Sequence, residues 1–331
     1  MPVTTTTQVP VNIQGFYDRN LLERAVPELL YSLFGQVRPI PKNAGTRINF
    51  RRYGSLAAAT TALTEGTTPS GKQLSVTDIY ATLAQYGDFV TLSDWLQMTG
   101  LDRVVLEAQE VLGEQAGNTV DQIHRDVVVA GTTVRYANDV ANRGAIDKTI
   151  QDVDLNSAVR TLEGNNAKKI REIKVGGARI NTYPIRPAYI GITHTDCRQD
   201  IENLTGFKSV EEYASQKDVL PQEIGATKNV RWLVTTNAKV WTNSGATASG
   251  TGLVTSNTNV DVYGTLILAK NAFGVVPLQK KSIQSIIKQL GSAGADDPLN
   301  QRSTVGWKTA TVAKILNDDF MVRIEHGVTD L

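Results

Sequence analysis

Three histidines and a single cysteine are the side chains best suited to chemistry here: His124, His194, His326 and Cys197. His194 and Cys197 form an H-x-x-C pair, half of a tetrahedral zinc site, but no second ligand pair follows at metal spacing. The same two residues pose as a base and a nucleophile, since a helix starting near Thr195 would lower the thiol pKa. No oxyanion-hole motif or third partner accompanies them, so the plainer reading is a helix-start histidine and a half-buried thiol. His124, beside Arg125 in an acidic stretch, reads as a surface residue. Phosphate loops are missing: KVGGARI lacks G-x-x-x-x-G-K-S/T, no G-x-G-x-x-G follows a strand, and Gly176-Gly177 reads as a turn. No catalytic, metal or cofactor-binding residue is assigned, and the chain does not read as an enzyme.

Charge is more informative. Arg38, Lys42, Arg47, Arg51 and Arg52 place five cations within fifteen residues, with no acid between them and with Phe50 and Tyr53 alongside. Basic residues interleaved with aromatics suit single-stranded nucleic acid. The stretch from Leu101 to Ala130 carries the opposite sign, with Asp102, Glu107, Glu110, Glu114, Asp121 and Asp126 against Arg103 and Arg125. Complementary patches on one sequence favour pairing between chains. The inter-subunit candidates are Arg47, Arg51, Arg52, Lys72, Glu107, Glu110 and Glu114.

Composition narrows the classes. The chain has 331 residues, enough for two modest domains or one elaborated one. Its net charge of +1 gives no global basic field. One cysteine excludes an internal disulfide framework and fits a reducing compartment. No run of 18 apolar residues suggests a membrane span, and MPVTTTTQVPVN lacks signal-peptide features, which points to cytoplasmic synthesis. Such a Thr-rich start orders only when something holds it.

The elements follow from periodicity. Residues 1–45 form an arm: a helical period runs through FYDRNLLERAVPELLYSLFG, with a kink at Pro27 and an end at Gly35, and VRPIPKNAG is extended. Residues 46–92 read as one long hairpin with the flexible tip LTEGTTPSGKQ, and a phase switch near Asp78 predicts a bulge. Two strands alone are marginal in water, so this hairpin needs a partner surface. Apolar residues at three- and four-residue steps make 101–130 a helix of roughly 45 Å. Gly113 and Gly117 mark a bend or a close approach in it. A second helix is predicted over 154–171, capped by Asp152 or Asp154. Residues 188–193 and 230–242 read as strands, Thr195 as a cap, Ser209 and Glu212 as a capping box, and 243–252 as a polar loop. Residues 261–278 are continuously apolar and buried. Residues 283–290 satisfy both periods. TVGWKTATVAKIL and FMVRIEHGV read as a hairpin joined by Asn317-Asp318-Asp319. The mixture argues α+β.

This order of parts resembles the major capsid protein fold of tailed bacteriophages, and more specifically the major capsid family of short-tailed phages related to the N4-like group. The segments that carry the resemblance include LTEGTTPSGKQLSVTDIYATLAQYGDFVTLSD, YIGITHTDCRQDIENLTGFKSVEEYA, EIGATKNVRWLVTTN, DVYGTLILAKNAFG and DDPLNQRSTVGWKTATVAKILNDDF. None is a catalytic signature; the specificity lies in their order and number. The resemblance implies an N-terminal arm (1–45), an extended E-loop hairpin (46–92), a peripheral domain with a spine helix (93–150), an axial domain (151–260) and strands returning to the peripheral domain (261–331).

It further implies self-assembly into hexamers and pentamers of an icosahedral shell around double-stranded DNA, without sequence-specific binding and without a membrane. The virion capsid would be the final location, after assembly in the host bacterial cytoplasm. Separate portal and scaffolding proteins are expected partners, and a cementing protein is admitted. Because the arm follows Met1 directly, a fused and cleaved scaffold is not expected. Some relatives cross-link their subunits; Lys72 has no matching partner, and that chemistry is not carried over. Two alternatives stay open: the shell of a related encapsulating compartment, and a nucleic-acid-binding module.

Overall fold

The computed structural model describes residues 29–41, 45–99, 104–175, 181–213, 219–277, 283–292 and 297–331. Most of the arm, Lys42, the Gly176-Gly177 turn, the second half of VEEYASQ and the first residues of the long helix lie outside them. The described elements are α1 (Tyr31–Phe34), β1 (Gln36–Val37), β2 (Arg47–Tyr53), β3 (Val76–Thr82), β4 (Ala84–Ser93), α2 (Asp94–Thr99), α3 (Val104–Val129), β5 (Val134–Tyr136) and α4 (Asp152–Gly164). They continue with β6 (Ile170–Val175), β7 (Asn181–His194), α5 (Arg198–Glu202), β8 (Lys208–Ser209), β9 (Glu223–Thr227), β10 (Val230–Thr235) and β11 (Val240–Trp241). The last are β12 (Val262–Leu268), β13 (Phe273–Pro277), β14 (Gln284–Lys288), β15 (Arg302–Ile315) and β16 (Met321–His326).

Two sheets and a separate ribbon organise the chain. A five-stranded sheet is centred on β15, with β4 along one edge and β13 and β14 on the other, and with β1 outside β13. A nine-stranded sheet runs β5-β16-β12-β7-β10-β9-β8, with β11 on β12 and β6 on β7. The ribbon is β2 with β3. α3 packs on the five-stranded sheet through Leu112 and Ala116 against Val305 and Trp307. Its buried residues Leu112, Ala116, Val120, His124 and Val128 form one row at four-residue steps.

Several expectations need correction. The hairpin over 46–92 stops at Thr82: β4 leaves it and pairs for ten residues with β15. There is no bulge at Asp78, because the β2–β3 register is continuous from Arg47↔Thr82 to Tyr53↔Val76. The phase switch arises because Leu74 and Val76, which set the first phase, are exposed, whereas Ile79 and Ala81 face the hairpin root. The final hairpin is also absent: β15 and β16 lie in different sheets, separated by the Asp318–Phe320 turn. The helix over 154–171 ends at Gly164; residues 165–169 are a connection, and β6 begins at Ile170. Its N-cap is Gln151, with Asp154 as the reciprocal acceptor of the capping box. Ser209 makes no side-chain cap, and Val210–Glu212 is a single 3-10 turn. His194, rather than Thr195, accepts the capping hydrogen bond, from the Asp196 amide. The strand over 230–242 breaks after Thr235 and resumes at Val240. Residues 261–278 split into two buried strands around Asn271, whose φ is 63°. Residues 284–288 are a strand, and all of it is exposed.

Neither Gly113 nor Gly117 would bring a Cβ within 4 Å of another group, so close packing does not account for them. Gly35 does allow one close approach: a Cβ there would lie 2.6 Å from Val275 and 2.8 Å from Phe273. The arm's end is thus locked on β13 by shape.

Candidate assembly surfaces

The hairpin has a buried root and an exposed tip. Phe50 is only 3% exposed and joins Ile40, Ala81 and Val276, with Ile48, Ile79, Leu83, Val312 and Leu316 against them. Gly274 is the floor: a Cβ there would come within 2.9 Å of Phe50 Cζ. Beyond Tyr53 the chain loses this support. Residues 54–75 are exposed throughout, tied by the Gly54 amide donating to the Ser75 carbonyl at 2.9 Å and by Lys72 Nζ donating to the Ala57 carbonyl at 2.9 Å. Leu56, Leu63 and Leu74 are 52%, 77% and 64% exposed there. Water-facing leucines gathered on one projection mark a surface meant to be covered.

The hairpin's cations already have partners of modest strength. Arg51 Nε donates to Asp78 at 3.0 Å on the exposed surface, and this bond holds the Asp78 carboxyl below the usual range. Arg52 Nη1 donates to Asn317 at 2.6 Å, and Arg47 stacks 3.9 Å over the Tyr80 ring. Arg38 lies 5.6 Å over Phe50. On α3, Glu107 and Glu110 are exposed and Glu114 is half-buried. Among the described residues these three acids form no ion pair. The structure does not bring the two sets together within one chain. Val312 and Leu316 meet the hairpin root, while Val305 and Trp307 meet α3, so the sheet stands between them.

A second exposed apolar surface escaped sequence reading. Phe89, Gly306 and Ile286 lie in register across β4, β15 and β14. Phe89 and Ile286 are 51% and 43% exposed, and a Cβ on Gly306 would come within 2.8 Å of Phe89 Cβ. The glycine therefore leaves a hollow between the two side chains, part of a depression of ≈ 690 Å³. Alternation along β4 and the glycines at 87 and 306 were the available signal, but they required the β4–β15 pairing to be known.

Of the residues first considered for chemistry, Cys197, His124 and His326 are internal and His194 is partly buried. Cys197 is fully buried rather than half-buried, and burial pushes its thiol up to about 12, so it stays protonated. His194 Nδ1 lies 3.1 Å from Asp196. His326 is buried; its Nδ1 must donate to the Gly327 carbonyl at 2.7 Å, so Nε2 accepts from Thr265, which in turn takes the Thr193 hydroxyl at 2.8 Å. His124 is not a surface residue. It is 1% exposed, with Ser32 Oγ 3.1 Å from Nδ1 and Thr311 Oγ1 3.0 Å from Nε2, and burial pushes its pKa down to about 4. Asp121 likewise leaves the acidic face: its Oδ1 accepts from the Leu30 and Tyr31 amides at 2.9 and 3.0 Å. Together they clasp the arm onto α3. The apolar stripe on either side of position 124 was legible; that the polar His124 lies buried within it was not.

No family model matches the chain. The major capsid protein of Pseudomonas phage KPP21 is 23% identical over 339 residues, covering 86% of this chain and 85% of that protein. Among solved structures, the capsid of Ralstonia phage GP4 superposes with a TM-score of 0.65 at 11% identity, over 92% of this chain and 89% of that one. The head of Helicobacter pylori bacteriophage KHP40 gives 0.63 at 12% identity, over 99% and 98%. The likeness spans both sheets and the long helix.

Proposed function

We propose that this chain, which has the fold of the tailed-phage major capsid proteins, is the major capsid protein from which a phage shell is built. The observation that carries this is the near-complete superposition on capsid subunits, 99% of this chain on 98% of one of them. The unfinished hairpin supports it, because a projection rich in exposed leucine gains a partner when a second copy packs beside it. Copies assemble into hexamers and pentamers that close into an icosahedral shell around double-stranded DNA. Contacts that are weak singly become stable when each subunit repeats them around a closed symmetry. The extended loop is the β2–β3 ribbon with its tip, α3 is the spine of a peripheral domain, and the nine-stranded sheet belongs mainly to an axial domain. Separate portal and scaffolding proteins complete assembly in the host cytoplasm, and the virion capsid is the final location.

At the subunit boundary, Arg47, Arg51, Arg52 and Lys72 of one copy approach Glu107, Glu110 and Glu114 of the next. Sizing and negative-stain imaging of the purified full-length protein test the main claim. Closed shells tens of nanometres across are expected, and a discrete small oligomer under all assembly conditions contradicts it.

A further inference from the structure

Four cations surround one small hollow where β6 begins. Lys168, Lys169, Arg171 and Lys270 line it with Pro187, and its volume is ≈ 390 Å³. Buried neighbours dictate this placement. Ala167 and Ile170 are buried, and the Tyr189 hydroxyl donates to the Ala167 carbonyl at 3.0 Å, so the lysines between them are turned toward the surface. The Lys270 amide donates to the Lys168 carbonyl at 2.9 Å, which brings the turn after β12 to the same spot. Lys169 Nζ lies 5.7 Å from the Tyr189 ring centre. One carboxylate reaches the group: Glu172, 3.0 Å from Lys270. Among the described residues Lys168, Lys169 and Arg171 form no ion pair.

We propose that this hollow is a contact for the phosphates of duplex nucleic acid, made once per subunit. That the nucleic acid is a packaged genome rests on the shell function above. The lining favours phosphate over an acidic polypeptide. Polypeptide docking needs pockets that take large side-chain anchors, and besides Pro187 the apolar part of this lining is only the aliphatic stems of the four cations. Phosphate needs only charge and hydrogen-bond donors, and contacts of this kind carry no sequence information. With a chain charge of only +1 there is no general basic field, so a phosphate contact here depends on these local cations. Three unpaired cations make each contact weak and salt-sensitive. A log–log salt slope of about −2.7 follows from about 0.9 per neutralised phosphate. Summed over many copies, such contacts hold DNA near the wall without fixing it.

The test is anisotropy of a labelled duplex of about 20 base pairs against full-length unassembled subunits across a salt series. Lys168→Ala/Lys169→Ala/Arg171→Ala is expected to reduce the magnitude of the slope by about 2.7 and to weaken binding at least about tenfold at low salt. Lys168→Gln/Arg171→Gln, at two exposed positions, should remove about 1.8 of the slope. Unchanged slopes in both variants overturn the proposal. So does polyglutamate that binds the native protein as tightly as the duplex and is lost in the triple variant, since that assigns the hollow to an acidic polypeptide. Negative-stain imaging of the same samples separates the two levels: shells with unchanged DNA binding remove this inference alone, whereas native protein that never forms shells removes the function beneath it.

Discussion

The arm clasp and the hairpin both project chain onto a surface, yet they end differently. At the clasp the side chains that join arm to helix have partners inside the subunit: Asp121 takes two amides and Asn237, and His124 bridges Ser32 and Thr311, while the buried Tyr31 hydroxyl has no partner among the described residues. At the hairpin the root is as buried as the clasp, but the tip keeps its leucines in water. One region is a finished interior. The other leaves apolar surface uncovered within the subunit. If the proposed function holds, folding and assembly are written into separate parts of the chain, and this contrast can be broken experimentally.

The largest effect is expected from shortening the tip. Replacing residues 57–72 with a short glycine link should abolish shells while the melting temperature stays within a few degrees, checked by imaging and by circular dichroism. A large loss of stability would mean that the tip belongs to the fold. Asp121→Ala should do the reverse. It strands two buried amides at about 1–3 kcal/mol each, so the urea midpoint should fall by the equivalent of about 3 kcal/mol, with fewer particles as a consequence.

The clasp also predicts a pH dependence. His124 titrates near 6.5 in the unfolded chain and near 4 when folded. Its neutral form is the folded one, so its contribution is full above about pH 6.5 and is lost as pH falls toward 4. A shift of this size is worth about 3 kcal/mol. Burial raises the Asp121 carboxyl, which acts in the opposite sense: ionisation costs stability as pH rises through its folded value. His124→Gln should therefore flatten the stability profile between pH 4 and 6.5, measured by chemical denaturation; an unchanged slope would remove His124 as its source.

The smallest effects should come from charge. Arg51→Glu/Arg52→Glu should lower particle yield, with partial rescue by Glu110→Arg, if the hairpin of one copy meets the helix of another. Phe89→Asp or Ile286→Asp provides the competing arm. A greater loss of shells there than at α3 would place the neighbour's hairpin on the sheet hollow instead.

How much of this was legible in advance differs by element. The α3 stripe and the hairpin root follow from local periodicity and the burial after residue 261 from a continuous apolar run; these were read correctly in kind, but the division of that run into two strands was not read. Strand partners were not, because pairing is non-local. β4 looked like the return of the hairpin since it follows β3 directly, and β15 and β16 looked like neighbours since only a short turn separates them. Each pairs instead with a strand far away in sequence. The clasp was missed because Asp121 and His124 are polar, and a polar residue on a helix reads as surface until the amides that need it are in view. Glycine was ambiguous for the same reason: Gly274 and Gly306 make room for Phe50 and Phe89, whereas Gly113 and Gly117 make room for nothing near them.

The most direct test is a density map of an assembled shell at side-chain resolution. The hairpin tip, with Leu56, Leu63 and Leu74, should lie against a neighbouring subunit and lose its exposure to water. A tip that faces solvent on both sides in every subunit, in a shell that is nonetheless closed, would contradict the central claim.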